Sequence, residues 1–499
     1  MNPQLAVSPK PLDQAGGRAI VIGILLTMFL GALDQTIVAT ALPTIGRDLR
    51  DVDSLSWVVT AYLLTATVVT PLYGKLSDIH GRRLMLLVAI GIFATASVGC
   101  ALAPTMSILI LARGLQGLGG GGLLSLAQTI IADVIPPLER GRYQGYIGTV
   151  FAASSVGGPV LGGFLAEHLR WSLIFWINLP LGLVAFLMTN KVLKQLPRHA
   201  RRRHQLDIVG AAMMMVATIT LLLALTWGGT RYPWSSPTIA GLLSAAAVIA
   251  AVFVIHLLTA REPFLPLPVM FNPVVGVGTA SVTCVFGTMI ALTVFVPLYY
   301  EVVLGLSAGQ SGLALMPQLA GTVIGSTVTG RAMVTVQRYK RMPVVGLLIA
   351  IAALTVVAVK PAGLPLPVVS TVLGVVGLGI GSLFPITTVS IQNAARPYQL
   401  GTVTGVMNFF RSLGGALMVS AFGAIVLGGA GESAHAGLTL EALVAEAGRS
   451  GGDLAMVFRW VFVAAACCLS VGLACLLLME ERPLRGRSQP LPGRQVPAE

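Results

Sequence analysis

Charge is scarce in this sequence: Asp, Glu, Lys and Arg make up 10% of its 499 residues, while 55% are hydrophobic. Soluble domains carry about 25% charged residues. A water-facing surface for a chain of this length cannot be built from so few, and the bilayer is the remaining solvent, with spans of about 20 apolar residues. Histidine is sparse too; the six are not clustered in any apolar run, and no HExxH occurs. That argues against an intramembrane metalloenzyme, and no metal ligands and no catalytic residues are expected. The five cysteines, Cys100, Cys284, Cys467, Cys468 and Cys475, lie inside apolar runs without metal-ligand spacing, as small core residues do. No GxxxxGK[ST] is present, which excludes an ATP-driven pump. The polar tails, 1–16 and 481–499, are too short for a soluble signalling domain.

Apolar runs fill the rest, with mean hydropathy +0.85 and 57 glycines, a composition suited to close helix packing in lipid. About fourteen spans can be placed, the first at 17–40, the tenth at 309–330 and the last at 455–478. Continuous apolar runs without alternation mean helices rather than a β-barrel. The first run is too long for a signal-peptide core and contains Asp34. The expected organisation is a tail (1–16), a six-helix half (17–190), a linker (191–206), two additional helices (207–258), a second six-helix half (259–480) and a second tail (481–499). A loop at 429–454 contains LTLEALVAEAG, whose apolar residues share one face of a short interfacial helix; a plain loop is the alternative.

The net charge of +13 and pI of about 10.0 would suggest nucleic acid in a soluble protein. Here the placement of basic residues argues otherwise. With the N-terminus in the cytoplasm, 23 of the 32 Lys and Arg fall on the cytoplasmic side, 7 fall outside, and Arg113 and Arg411 lie within spans. This bias is the topology signal of a membrane protein, and no nucleic-acid partner is expected.

Asp34 sits deep in the first span, within LDQTIVATALP. An acid at that depth normally faces the bundle interior. Burial favours its neutral form and a nearby arginine its charged form, so an acid balanced between them can load and release a proton. The alternative is a hydrogen-bonded staple between helices. Arg113, in LARGLQGLGGGG of span four, cannot deprotonate and needs a partner or a wet cavity. Asp34 is the evident partner, directly or through a water, and Gln116 lies one turn on; a fixed ion pair is again the alternative. Asn408 and Arg411 share a face near the start of span thirteen, to contact substrate or to anchor the second half.

Gly74, Asp78, Gly81, Arg82 and Arg83 form a basic turn, GKLSDIHGRR, between spans two and three. Asp78 and the arginines can pair with one another or with Asp133 at the end of span four, as a latch that breaks in another conformation; simple topology and lipid contact is the alternative reading. GRAMVTVQRYK at 330–340 is a faint second copy that has lost its acid. Gly158, Pro159, Gly162 and Gly163 occur in span five, where a bend and small residues let a neighbouring helix slide or rock; pure packing is the alternative, and the two are not exclusive. Two formal matches carry little. Gly117–Gly122 fits GxGxxG without a preceding strand, and Gly305–Gly309 fits a nucleophile-elbow pattern without strand–turn–helix context.

These motifs together resemble the fourteen-span drug/proton antiporter branch of the major facilitator superfamily, over roughly residues 17–480. GKLSDIHGRR is similar to the superfamily's loop signature between spans two and three, LARGLQG to its span-four signature, SVGGPVLGGFL to the span-five antiporter motif, and LDQTIVATALPTI to the span-one signature of this branch. The resemblance implies two rocking six-helix halves with the two extra helices peripheral. It also implies export of small lipophilic compounds or drugs against inward proton flow across a bacterial inner membrane, with both termini cytoplasmic. The proton gradient would drive it, without a cofactor. Asp34 and Arg113 would lie on the coupling path. Expected partners are protons, a lipophilic substrate and the bilayer; some Gram-negative members also pair with a periplasmic adaptor and an outer-membrane channel. Two buried arginines against one buried acid favour neutral, anionic or monovalent substrates. A dedicated exporter or importer of one metabolite on the same fold is the rival function.

Overall fold

A computed structural model describes residues 14–52, 54–194, 206–260, 262–265, 267–336, 338–429 and 454–484. Its helices are α1 (Gln14–Asp48), α2 (Leu55–His80), α3 (Arg82–Ala101), α4 (Met106–Val134), α5 (Pro137–His168), α6 (Leu173–Trp176), α7 (Asn178–Leu193), α8 (Ile208–Trp227) and α9 (Pro237–Thr259). They continue with α10 (Leu267–Met270), α11 (Pro273–Val302), α12 (Ala308–Ala314), α13 (Met316–Ala332), α14 (Arg341–Val359), α15 (Leu366–Ala394), α16 (Leu400–Gly429) and α17 (Leu454–Leu478). Among the described residues the only β-type pairing is one isolated bridge, Gly228 to Tyr232. The interfacial helix expected within 429–454 falls outside the described residues, as does most of the 191–206 linker.

Thirteen helices among the described residues are long and apolar enough to cross a membrane. Their surfaces are reversed relative to a soluble protein. On α4, Leu111 is 70% and Leu115 56% exposed, while Arg113 is 1% and Gln116 0% exposed. Large apolar side chains outward and polar ones inward suit hydrocarbon, not water. This is a multi-pass, all-α membrane protein. The expected tenth span, 309–330, differs: it is two pieces, α12 and the 17-residue α13, parted at Leu315. Pro317, at the start of α13, has no N–H to continue the ladder from α12.

The chain divides into two compact units, one of Met1–Ala66, Tyr73–Val134 and Ala153–His204, the other of Thr67–Leu72, Ile135–Ala152 and Gln205–Glu499. In the first, α4 is the central element, and its glycine run shows why. A Cβ at Gly119 would sit 2.5 Å from the Phe93 amide nitrogen and 2.6 Å from the Ala89 carbonyl of α3, and one at Gly117 would strike the Tyr62 carbonyl of α2. The GxGxxG match is therefore helix packing. In the second unit α13 and α15 meet in the same way, Gly321 and Gly325 facing α15 carbonyls while Gly377 and Gly381 face those of α13. Aromatic rings fill its core, with Tyr299 of α11 5.5 Å from Phe458 and 5.2 Å from Phe462 of α17. The helices α8 and α9 are clasped at one end by Asp207, whose carboxylate caps Gly210 N at 2.8 Å and accepts from His256 Nε2 at 2.9 Å and Phe264 N at 3.0 Å.

Candidate functional site

The first unit buries a closed polar knot. Arg113 NH1 donates to Asp34 Oδ2 at 2.7 Å and to Gln116 Oε1 at 2.7 Å, and Arg113 Nε donates to the Val58 carbonyl at 3.1 Å. Asp34 Oδ1 accepts from Gln116 Nε2 at 2.9 Å and from Asn178 Nδ2 at 2.8 Å. Ser97 Oγ accepts from Asn178 at 3.1 Å and Gln116 at 3.3 Å and passes its own proton to the Phe175 carbonyl at 2.9 Å. The guanidinium lies over the Tyr62 ring, 4.3 Å from its centroid, and 5.8 Å from that of Phe175. Five helices of the unit (α1, α2, α3, α4 and α7) and the α6 turn thus converge on one carboxylate.

Asp34, Gln116 and Asn178 are all 0% exposed. The pairing of Asp34 with Arg113 is direct, with no room for a bridging water between atoms 2.7 Å apart. Gln116 borders no open space here; Tyr62 and Phe175 close the guanidinium from the sides. A buried ion pair survives only when its remaining hydrogen-bonding capacity is met, and three donors on Asp34 meet it. The sequence reading missed Asn178 and Ser97. The available signal was a lone amide in the apolar stretch WINLPLG at 176–182.

The loop motif also assembles. Arg82 NH1 pairs with Asp78 Oδ1 at 2.5 Å and Arg82 Nε with Asp133 Oδ2 at 2.8 Å, with Ser77 Oγ accepting at 2.7 Å. Each charge sits at the wrong end of its own helix: Arg82 opens α3, while Asp78 and Asp133 stand in the last turns of α2 and α4. The helix dipoles disfavour all three alone, so pairing offsets three unfavourable placements at once. Gly81, at φ +95°, makes the turn between α2 and α3, and Gly74 contributes its carbonyl to Ser77 Oγ at 2.8 Å. Arg83 stands apart from this triad and donates to Asn190 Oδ1 on α7.

The span-five motif packs on the span-one motif. Gly158 lies against Thr36 and the Ile37 amide, and Gly162 against Thr40 and the Ile37 carbonyl; a Cβ added at Gly157 or Gly163 would meet nothing within 4 Å, and Pro159 is exposed. In the second unit, Arg411 NH1 donates to Asn408 Oδ1 at 3.2 Å, and the guanidinium lies 4.3 Å from the Phe286 centroid and 5.6 Å from that of Phe384. At the second loop copy an acid reaches the backbone rather than a basic side chain. Lys340 N–H donates to Glu481 Oε1 at 3.0 Å, while its Nζ caps the end of α17 through the Leu477 carbonyl at 2.8 Å. Ser307, in the elbow-like GLSAG, is a helix cap for α12 whose Oγ accepts from Gln310 N at 3.4 Å. No group of three or more His, Cys, Asp or Glu able to hold a metal occurs among the described residues.

Comparison with known proteins gives this arrangement a context. The family description "Major Facilitator Superfamily" matches residues 24–419. The multidrug transporter protein MdtP of Bacillus subtilis (strain 168) is 34% identical over 421 residues, 84% of this chain and 76% of that protein. Multidrug resistance protein 3 of the same organism is 34% identical over 414 residues, covering 83% and 80%. Among solved structures, the human organic anion transporter MFSD10 (TETRAN) aligns with TM-score 0.62 at 18% identity, over 91% of this chain and 99% of that one, and bears on fold alone. Motifs, helices and relatives agree: the chain is a non-enzymatic transport protein belonging to the major facilitator superfamily.

Proposed function

We propose that the protein is a proton-coupled exporter of small lipophilic compounds, working by alternating access in a bacterial inner membrane with both termini in the cytoplasm. The observation that carries this reading is the sealed Asp34 carboxylate, the acceptor of three hydrogen bonds from Arg113, Gln116 and Asn178. A proton added to Asp34 in this arrangement would place an O–H against groups that are themselves donors. Protonation therefore requires the knot to open, and opening it requires α1, α4 and α7 to shift. That mutual requirement is what a coupling site needs. Breakable charge pairing at Arg82, and glycine contacts that let α5 move on α1, support the same reading, as do relatives described as multidrug transporters. The proton gradient supplies the energy and no cofactor is required.

The test is dye extrusion in everted membrane vesicles under an imposed proton gradient, with one monocationic and one neutral lipophilic dye. Wild type concentrates at least one dye only with the gradient, and Asp34→Asn does not. Normal gradient-driven transport by Asp34→Asn would remove Asp34 from the coupling path. A wild type that moves neither dye would favour a single-metabolite carrier.

A further inference from the structure

Among its described residues the second unit contains a cation without a counter-charge. Arg113 is neutralised by Asp34 at 2.7 Å, and Arg82 by Asp78 and Asp133 at 2.5 and 2.8 Å. Arg411 has no such partner: among the described residues no carboxylate lies within ion-pairing distance, and its Nε is buried with no hydrogen-bond partner. It is not at a helix end where it could reach water by snorkelling. It stands eleven residues into the 30-residue α16, roughly 17 Å along the axis at 1.5 Å per residue. A guanidinium there stays charged, and an intramembrane charge without a partner points to a ligand that completes it.

Its surroundings say what kind of ligand. Phe286 of α11 and Phe384 of α15 stand over the guanidinium at 4.3 and 5.6 Å, their own centroids 5.9 Å apart at 66°. Two rings at an angle fix the plane of the guanidinium and offer apolar faces beside it. Asn408 holds NH1 from one side. All three helix segments belong to the same unit. The fork is thus oriented, its Nε is unsatisfied, and the groups found around it are aromatic and amide, with no acid among the described residues. A planar fork of this kind recognises paired oxygens of an oxyanion.

We infer that Arg411, Asn408, Phe286 and Phe384 form the recognition point for an anionic oxygen group, a carboxylate or sulfonate carried on a flat aromatic substrate. This rests on the reading of the protein as a carrier of small lipophilic compounds and narrows its substrate class to include amphipathic organic anions. A lipid phosphate presents the same oxygens, and the experiment separates the two sources.

The test is equilibrium binding to the purified full chain in phosphatidylcholine nanodiscs, without any proton gradient, so that failure of proton coupling leaves its outcome unaffected. The probes are 2-naphthoate and its neutral isostere 2-naphthamide, titrated calorimetrically. Wild type binds naphthoate roughly tenfold or more tightly than the amide, the scale of one charge-assisted hydrogen bond. Arg411→Gln, with its fold verified by elution and melting, abolishes the preference, and Arg411→Lys keeps part of it. If Arg411→Gln does not fold, Arg411→Lys and Phe286→Leu decide, each expected to shrink the preference. Equal affinities in wild type, no detectable naphthoate binding, or a preference untouched in the variants overturns the inference. Loss of naphthoate binding on adding anionic phosphatidylglycerol assigns the site to a lipid headgroup and overturns the transported-anion claim.

Discussion

Replacing the four glycines of α5 by alanine, one at a time, separates helix packing from helix propensity. At Gly157 and Gly163 the new methyl meets nothing within 4 Å, so alanine there gains about 0.5–1 kcal/mol of helix propensity. At Gly162 it strikes the Ile37 carbonyl of α1, a backbone atom that moves only if the two helices part. At Gly158 it strikes Thr36 Oγ1, with Thr36 Cβ at 2.7 Å and the Ile37 amide at 3.1 Å. Thr36 can turn away only by giving up its bond to the Ser154 carbonyl at 2.8 Å. The propensity gain is the same at all four sites and cancels in comparison, leaving the overpacking cost of about 1–3 kcal/mol. Thermal unfolding of the purified protein in detergent should place Gly157→Ala and Gly163→Ala at or above wild type and Gly158→Ala and Gly162→Ala below it. Adding Thr36→Ala should recover part of the loss at Gly158 and none at Gly162. Equal melting temperatures for Gly162→Ala and Gly163→Ala would refute the steric reasoning.

Three further outcomes follow from the same geometry. Asp133→Asn removes one of two carboxylates from Arg82, where both side chains are under a tenth exposed, and should lower stability by about 1–3 kcal/mol; Glu480→Gln, in an ion pair whose Glu480 side chain is 54% exposed, should change it by less than about 1 kcal/mol, and equal melting points would count against the triad. Asn178→Ala takes one donor from Asp34 and one from Ser97 and should cost about 1.5–3 kcal/mol; a wild-type melting curve would show the knot to be slack there. The Asp207 carboxyl is held below the usual carboxylate range: desolvation pushes it up, but bonds from Gly210 N–H, His256 and Phe264 N–H together outweigh that. Its contribution is fully present above the ordinary carboxylate value near 4 and is lost as pH falls through the lower folded value. Melting temperature in Asp207→Asn should therefore differ from wild type at neutral pH and converge with it only at strongly acidic pH; convergence already at pH 6 would disprove the clasp.

How much of this was legible beforehand depended on rarity. Asp34 and Arg113 could be paired by inspection because each is nearly alone in its part of the membrane, and two lone opposite charges must find each other. Asn178 and Ser97 could not, since small polar residues are common in membrane helices and often bond within their own helix, as Thr27 does to the Gly23 carbonyl at 2.9 Å. Hydropathy averaged across the gap at Leu315 and so showed one tenth span where the backbone makes two helices. Glu481, which accepts from the Lys340 amide of the second loop copy, lies 141 residues away, a separation no local motif can span. Of the span-five glycines, Gly158 and Gly162 stand four apart and so share one helix face; which neighbour that face meets, α1, is what the sequence does not show and the structure does.

The depth of the Asp34 knot bears on how its role is tested. Asp34→Asn leaves Arg113, 1% exposed, charged and without a carboxylate, and breaking one side of a buried pair costs about 3–5 kcal/mol. Loss of transport in that variant alone would report misfolding as readily as lost coupling. Removing both charges is different, because replacing a buried pair outright is often close to neutral. Asp34→Asn combined with Arg113→Gln should therefore melt nearer to wild type than either single variant, and the cycle should return an interaction of about 3 kcal/mol or more. The restored fold then isolates the function. If the pair merely staples α1 to α4, the double variant concentrates dye under a proton gradient. If Asp34 carries the proton, the double variant exchanges dye down its own concentration gradient but cannot use the proton gradient to concentrate it. Gradient-driven accumulation by the double variant would end the coupling proposal, however well the single variants behave.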